Sequence, residues 1–413
     1  MSKNVIIGQS GGPTSVINSS LAGVFKVAAD KNLGEIYGMR NGVKGLLERR
    51  FINMRDYIVE ETDIELLKRT PASFLGSCRF KLPKIEENEK IYQDIFTILG
   101  ELGIGFFFYI GGNDSMDTIM KLSTYGESIN SSIRFMGVPK TIDNDLAVTD
   151  HSPGFGSAAK YIATSIKEMV LDANVYDTKA VTIVEAMGRN AGWLTGAAAL
   201  SRGPDCDGPD LIFLPEVAFD MDSFLEKTAK VLERKPAVIV VSEGVKLADG
   251  RYVNEMASDT NIVDAFGHKL LTGTARYLSD EVTKKLGHKS RAVEFSTIQR
   301  CAAHILSRVD MTEAFQVGAA AMKAALEGHT RKVVILKRIS DDPYICTTDL
   351  TDVSDIANVE KKVPLEWMVS TLDDVNHHFV NYALPLIQAE LAPFMVNGVP
   401  KHITINSKDK IRK

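Results

Sequence analysis

The chain has 413 residues, a length that at roughly 100–200 residues per domain gives two or three domains. Its 45% hydrophobic and 24% charged residues are those of an average globular chain, which excludes wholesale disorder. The 48 Lys and Arg against 53 Asp and Glu leave a formal charge of -5, which argues against nucleic acid as a partner and requires any anionic ligand to meet local positive charge.

Met1 to Gly8 carries too short an apolar run for a secretory leader and reads as a first strand. No apolar stretch reaches the length of about 18 residues that a membrane span needs, the richest being 104–110. Cys78, Cys206, Cys301 and Cys346 are far apart with no CxxC spacing, so neither a zinc ribbon nor a disulfide framework is indicated, and a soluble protein of the reducing cytoplasm is expected. Short apolar runs at 5–8, 106–110, 133–138, 180–185, 211–214, 238–241 and 333–336 alternate with segments of helical period. That is the pattern of an α/β protein with a parallel sheet. Ile162, Ile166, Met169, Val170 and Ala173 mark one helical face, and Phe224, Ala229, Val231 and Leu232 another. The sequence shows no repeat and no low-complexity linker.

Two glycine turns follow strands. Gly8-Gln9-Ser10-Gly11-Gly12-Pro13-Thr14 either cradles a phosphate at a helix N-terminus or is merely a tight turn. Gly111-Gly112-Asn113-Asp114-Ser115 adds polar groups able to touch a metal or ligand. Two such turns at strand ends suggest one cleft beyond the carboxyl edge of a sheet. Gly154 to Ala159 matches GxGxxA, but the residues before it, 149–153, read as loop, so the strand that a dinucleotide site requires is missing.

In Gly137-Val138-Pro139-Lys140-Thr141-Ile142-Asp143-Asn144-Asp145 two carboxylates can converge, one taking a proton and one holding a hard cation, with Lys140 facing a phosphate. A solvated turn is the other reading. Arg189 and Glu243 each follow an apolar run and stand at carboxyl ends. Arg291 and Arg300 could fork a phosphate, or form ordinary ion pairs.

Taken together, Ser10-Gly11-Gly12, Gly76-Ser77-Cys78-Arg79, Gly111 to Ser115, Pro139 to Asp145, Glu185-Ala186-Met187-Gly188-Arg189, Glu243-Gly244 and Ile298-Gln299-Arg300 resemble the phosphofructokinase family over residues 8–307. The resemblance implies two interleaved Rossmann-like three-layer α/β domains with mainly parallel sheets. A donor-binding domain would comprise 1–155 with 304–350, a sugar-phosphate domain 156–303, and a C-terminal extension 351–413. The implied activity is magnesium-assisted phosphoryl transfer to the 1-hydroxyl of fructose 6-phosphate, with a place in glycolysis and gluconeogenesis.

By the same resemblance Asp143 is the general base, Thr141 contacts the transferring group, and Arg189 stabilises the transition state. Ile142, Met187, Gly188, Glu243, Arg291, Thr297 and Arg300 would hold the sugar phosphate; Gly11, Gly12 and Arg79 the donor; Asn113 and Asp145 the magnesium. Asp114 and Lys140 occupy positions where ATP-using members carry glycine, which implies pyrophosphate as the donor. A carboxylate where a nucleotide α-phosphate would sit is a like-charge obstacle, and Lys140 restores positive charge facing the smaller donor. The sequence departs from the family at Asn113, Thr297 and Ala180, where Asp, His and Arg are common. A homo-oligomer without nucleic-acid or membrane partners is expected; the alternatives are an ATP-dependent enzyme and a non-catalytic sugar-phosphate sensor.

Overall fold

A computed structural model of the chain describes residues 3–175, 177–256 and 273–405. Its main strands are β1 (Asn4–Gln9), β2 (Ile36–Met39), β3 (Phe51–Asn53), β4 (Ile104–Gly111), β5 (Arg134–Pro139), β6 (Val181–Ala186), β7 (Leu211–Phe213), β8 (Ala237–Ser242), β9 (Ser290–Glu294), β10 (Lys332–Asp341) and β11 (Tyr344–Asp352). All seven apolar runs expected to be strands are strands. They divide between two sheets, one of order β11-β10-β5-β4-β1-β2-β3 and one of order β7-β8-β6-β9. The larger sheet is parallel from β10 to β2, with antiparallel β3 and β11 at its edges. The smaller is parallel throughout.

Every residue of β4 is buried, as a strand must be when helices cover both faces of its sheet. Phe106, Phe108 and Ile110 enter one core with Val5 and Ile7 of β1. Phe107 and Tyr109 enter the opposite core with Ile6, so the period-2 alternation feeds two layers at once. Each fully buried Phe contributes roughly 1.5–3 kcal/mol relative to exposure. Helix Phe155–Ala173 packs its apolar face on the smaller sheet, beside Trp193 and Val240. Its N-terminus is occupied by a carboxylate of the chain itself: Asp310 accepts from the backbone N–H of Gly154 (2.8 Å) and Ser157 (2.9 Å). The GxGxxA turn therefore has an internal anion where a dinucleotide site would place a phosphate.

Residues beyond β11 run across both halves. Val353, Ile356 and Ala357 join a core of the larger sheet, whereas Val363, Met368, Val375, Phe379, Ala383 and Leu386 join the core under the smaller one. Among the described residues no helix is long and apolar enough to cross a membrane.

Candidate active site

The carboxyl ends of the two sheets face one cleft of about 850 Å³, the place where ligands bind in open α/β sheets. From the larger sheet come Ser10, Gly11 and Gly12 after β1, Asn113 and Asp114 after β4, and Lys140 to Asp143 with Asp145 after β5. From the smaller come Met187 and Arg189 after β6, Glu243 after β8, and Thr297 and Arg300 after β9.

On the first side, Gly11 has φ +74°, a left-handed backbone that favours glycine. The turn is held by Gly11 N–H donating to the Cys78 carbonyl (3.3 Å) and by Ser77 Oγ donating to the Gly11 carbonyl (2.6 Å). Lys140 is 2% exposed and its Nζ donates to the Gly12 carbonyl (2.5 Å). Burial lowers its pKa to about 8; nearby Arg300 pushes the same way, while Asp143 and Asp145 oppose. Asp114 sits in the first turn of helix Asn113–Ser128, which starts directly after β4, so its carboxyl is carried by the helix end that aims at the cleft.

The turn after β5 holds the carboxylates. Thr141 Oγ1 accepts from the Asp143 N–H (3.1 Å), and Asn144 between the two acids has φ +55°. Burial raises the Asp143 carboxyl above the ordinary carboxylate range, and the charges of Lys140, Arg189 and Arg300 pull it back. Asp145 is pushed up to about 7 by burial, then by its neighbours Asp143 and Glu360. Asn113 is engaged as a donor. With its amide in the orientation that its surroundings satisfy, the nitrogen donates to the carbonyls of Ile356 (2.8 Å) and Val359 (3.3 Å). A carboxylate here would face two carbonyl oxygens, which gives a physical reason for Asn at this position.

On the second side, Gly188 has φ +131° and shapes the turn rather than lining the cleft: its N–H donates to Glu243 Oε1 (3.4 Å), and its carbonyl accepts from Ser242 Oγ (2.5 Å). Burial pushes Glu243 up to about 8, with Asp143 adding repulsion. Gln299 is fully buried and its Oε1 accepts from the Met187 N–H (3.2 Å). Arg300 lies against the first side, since a Cβ built on Gly12 would meet its Nη1 at 3.2 Å. The guanidinium thus reaches from the smaller sheet's side of the cleft to the glycine turn after β1.

The structure places Arg291 away from this chain's own cleft. The residue is exposed, pairs with Thr182 in the amino-terminal half of β9, and is absent from the cleft lining. Glu294, at the carboxyl end of β9, lines the cleft. Three residues at about 3.3 Å each set Arg291 roughly 10 Å back along the strand, so Arg291 and Arg300 do not form a clamp within this chain's own cleft.

The family model for phosphofructokinase matches residues 4–325. The chain belongs to the phosphofructokinase family. A Xanthomonas campestris pv. campestris relative named pyrophosphate--fructose 6-phosphate 1-phosphotransferase is 39% identical over 410 residues, covering 98% of this chain and 96% of the relative. A Halomonas elongata relative of the same name is 38% identical over 405 residues, covering 96% and 95%. The crystal structure of a pyrophosphate-dependent phosphofructokinase from Nitrosospira multiformis superimposes with a TM-score of 0.88 at 35% identity, covering 98% of this chain and 96% of that one.

Two residues of this phosphofructokinase that line the cleft, Asn358 and Glu360, lie beyond the stretch that the family model matches, and no motif announces them. Glu185 and Gln299 lie inside sequence motifs, but nothing in their spacing marks them as site residues, and both line the cleft. Glu185 accepts from the Ala275 N–H (2.9 Å) and is pushed up to about 7 by burial.

Proposed function

We propose that this phosphofructokinase transfers a phosphoryl group reversibly from pyrophosphate to the 1-hydroxyl of fructose 6-phosphate. The observation that carries the reading is that Asp114 and Lys140 both line the cleft, with Lys140 bonded to the Gly12 carbonyl and within the electrostatic reach of Asp143. The names of the two relatives give the same donor and acceptor. A diphosphate meets Lys140, Arg79 and Arg300 there, and a longer nucleotide meets the Asp114 carboxylate.

In the reaction Asp143 takes the proton of the sugar's 1-hydroxyl. The freed oxygen bonds to the nearer phosphorus of pyrophosphate while the bridging P–O bond breaks, and inorganic phosphate leaves with that bond's electron pair. Arg189 and Lys140 face the charge spread over the transferring group, and Thr141 contacts it. Gly11 and Gly12 present backbone to the donor. Ile142, Met187, Glu243, Thr297 and Arg300 frame the sugar phosphate, and Gly188 shapes the turn that carries Met187 and Arg189.

Magnesium fits this cleft, where seven carboxyl side chains against five cationic ones leave oxygen donors in excess. Asp145 would hold it, with only the amide oxygen of Asn113 left to help. When bound, it neutralises charge on the diphosphate oxygens.

The direct test is stoichiometry. Purified protein with fructose 6-phosphate, pyrophosphate and magnesium yields equal amounts of fructose 1,6-bisphosphate and phosphate, and the reverse mixture yields pyrophosphate. Release of phosphate without bisphosphate would contradict the reading.

A further inference from the structure

We propose that Tyr382, on the C-terminal segment, is a positioning residue for the catalytic turn: its hydroxyl fixes Asn144 and thereby the angle at which Asp143 and Asp145 leave the backbone. The inference rests on the assignment of Asp143 as the base.

Asn144 is fully buried and left-handed at φ +55°, a conformation in which Asn is enriched but which still needs support. Both ends of its amide are engaged. Oδ1 accepts from the Ser152 N–H (2.9 Å), and Nδ2 donates to the Tyr382 hydroxyl (2.8 Å). That hydroxyl in turn donates to the Asp150 carbonyl (2.7 Å). A phenol has one proton, so the donation to Asp150 leaves its lone pairs for the amide, and the polarity of the chain is defined.

Tyr382 is itself held. The Arg338 guanidinium stands 4.8 Å from its ring centroid and donates to its carbonyl (3.0 Å), and the Trp193 ring packs at 5.2 Å. The same segment grips the other flank of the turn. The Lys361 N–H donates to the Asp145 carbonyl (2.7 Å), and Lys361 Nζ donates to the Asp150 carbonyl (2.6 Å). Tyr382 does not line the cleft, so it acts on the chemistry through the turn. Neither Tyr382 nor Lys361 lies in the stretch that the family model matches, residues 4–325. The C-terminal segment therefore sets the geometry of a turn that the family core supplies.

Tyr382→Phe keeps the ring and its packing and removes only the hydroxyl. It should lower kcat about tenfold while KM for both substrates stays within about twofold, the signature of misplaced reacting groups. Asn144→Gly tolerates positive φ and removes the amide; in that background Tyr382→Phe should change kcat no further. Val380→Ala, in the same helix, loosens packing without touching the turn and should lower the melting temperature with kcat unchanged. The proposal is overturned if Tyr382→Phe leaves kcat unchanged, if its effect multiplies with that of Asn144→Gly, or if Val380→Ala lowers kcat as much. The base assignment fails separately, if Asp143→Ser keeps more than about a tenth of wild-type kcat.

Discussion

As the proposed base, Asp143 must stay ionised in a place that opposes ionisation, and the residue scale is where this chain resolves the conflict. Burial raises its carboxyl, and Lys140, Arg189 and Arg300 supply the compensating charge. Asp143→Ser should lower kcat by about two to four decades with KM for the sugar phosphate nearly unchanged; steady-state kinetics decide, and a variant keeping more than about a tenth of wild-type turnover would remove Asp143 from the base role. Glu243 behaves differently. Held up to about 8, it is mostly protonated at neutral pH and ionises only as the pH rises through that value, placing a second negative charge near Asp143. Glu243→Gln, which mimics the protonated form, should therefore bind fructose 6-phosphate much as wild type does at pH 7. At pH 9 wild-type KM should rise while the variant's does not. A parallel rise in both would place the titration elsewhere.

At the scale of elements, helix Asn113–Ser128 shows how a terminus can serve two purposes. It brings Asp114 to the cleft, and through the Asn113 amide it anchors the carbonyls of Ile356 and Val359. Asn113→Asp sets a carboxylate against those oxygens and should destabilise the fold by about 1–3 kcal/mol, the cost of losing such donors, read from urea unfolding. An unchanged midpoint would mean that the amide does not hold the segment.

The same scale shows what the sequence made legible. Strands β1, β4, β5, β6 and β8 are apolar runs because helices cover both faces, so they could be read directly. β2 is four residues with a glycine, and β11 alternates half-buried with exposed residues along an edge; neither stands out as an apolar run. The glycine turns, the TIDND turn and Met187-Gly188-Arg189 were legible because chemistry restricts those residue types. Arg291 stands back from this chain's cleft because its spacing from Arg300 spans a strand and a turn, and linear distance does not say which end of a strand faces the cleft. Glu360 and Tyr382 were invisible, since an irregular segment delivers the first and a helix of only seven residues, too short to show a period, delivers the second.

For the molecule as a whole, stability and donor choice are the two properties to measure. Buried His151 bridges Asp150 at Nδ1 (2.8 Å) and Glu313 at Nε2 (2.7 Å), among Arg338, Tyr344, Cys346 and Lys361. Burial lowers its pKa, but the two carboxylates outweigh that and leave it raised above 6.5. The pair energy is therefore fully present below pH 6.5 and is lost as pH rises through the raised value, by no more than about 1.36 kcal/mol per pH unit. Melting temperature measured from pH 6 upward should fall more steeply for wild type than for His151→Gln; equal slopes would exclude His151 as the source.

Donor choice is the central claim. An Asp114 carboxylate forced to about 4 Å from an α-phosphate oxygen, at an effective dielectric of about 20, costs on the order of 4 kcal/mol, roughly a thousandfold in rate. The decisive measurement is kcat/KM for pyrophosphate and for ATP in wild type, Asp114→Gly and Asp114→Gly with Lys140→Gly. Wild type should strongly prefer pyrophosphate, Asp114→Gly should gain ATP activity, and the added Lys140→Gly should cut pyrophosphate turnover. Equal efficiency with both donors in wild type, or no gain with ATP in a folded Asp114→Gly protein, would contradict the account.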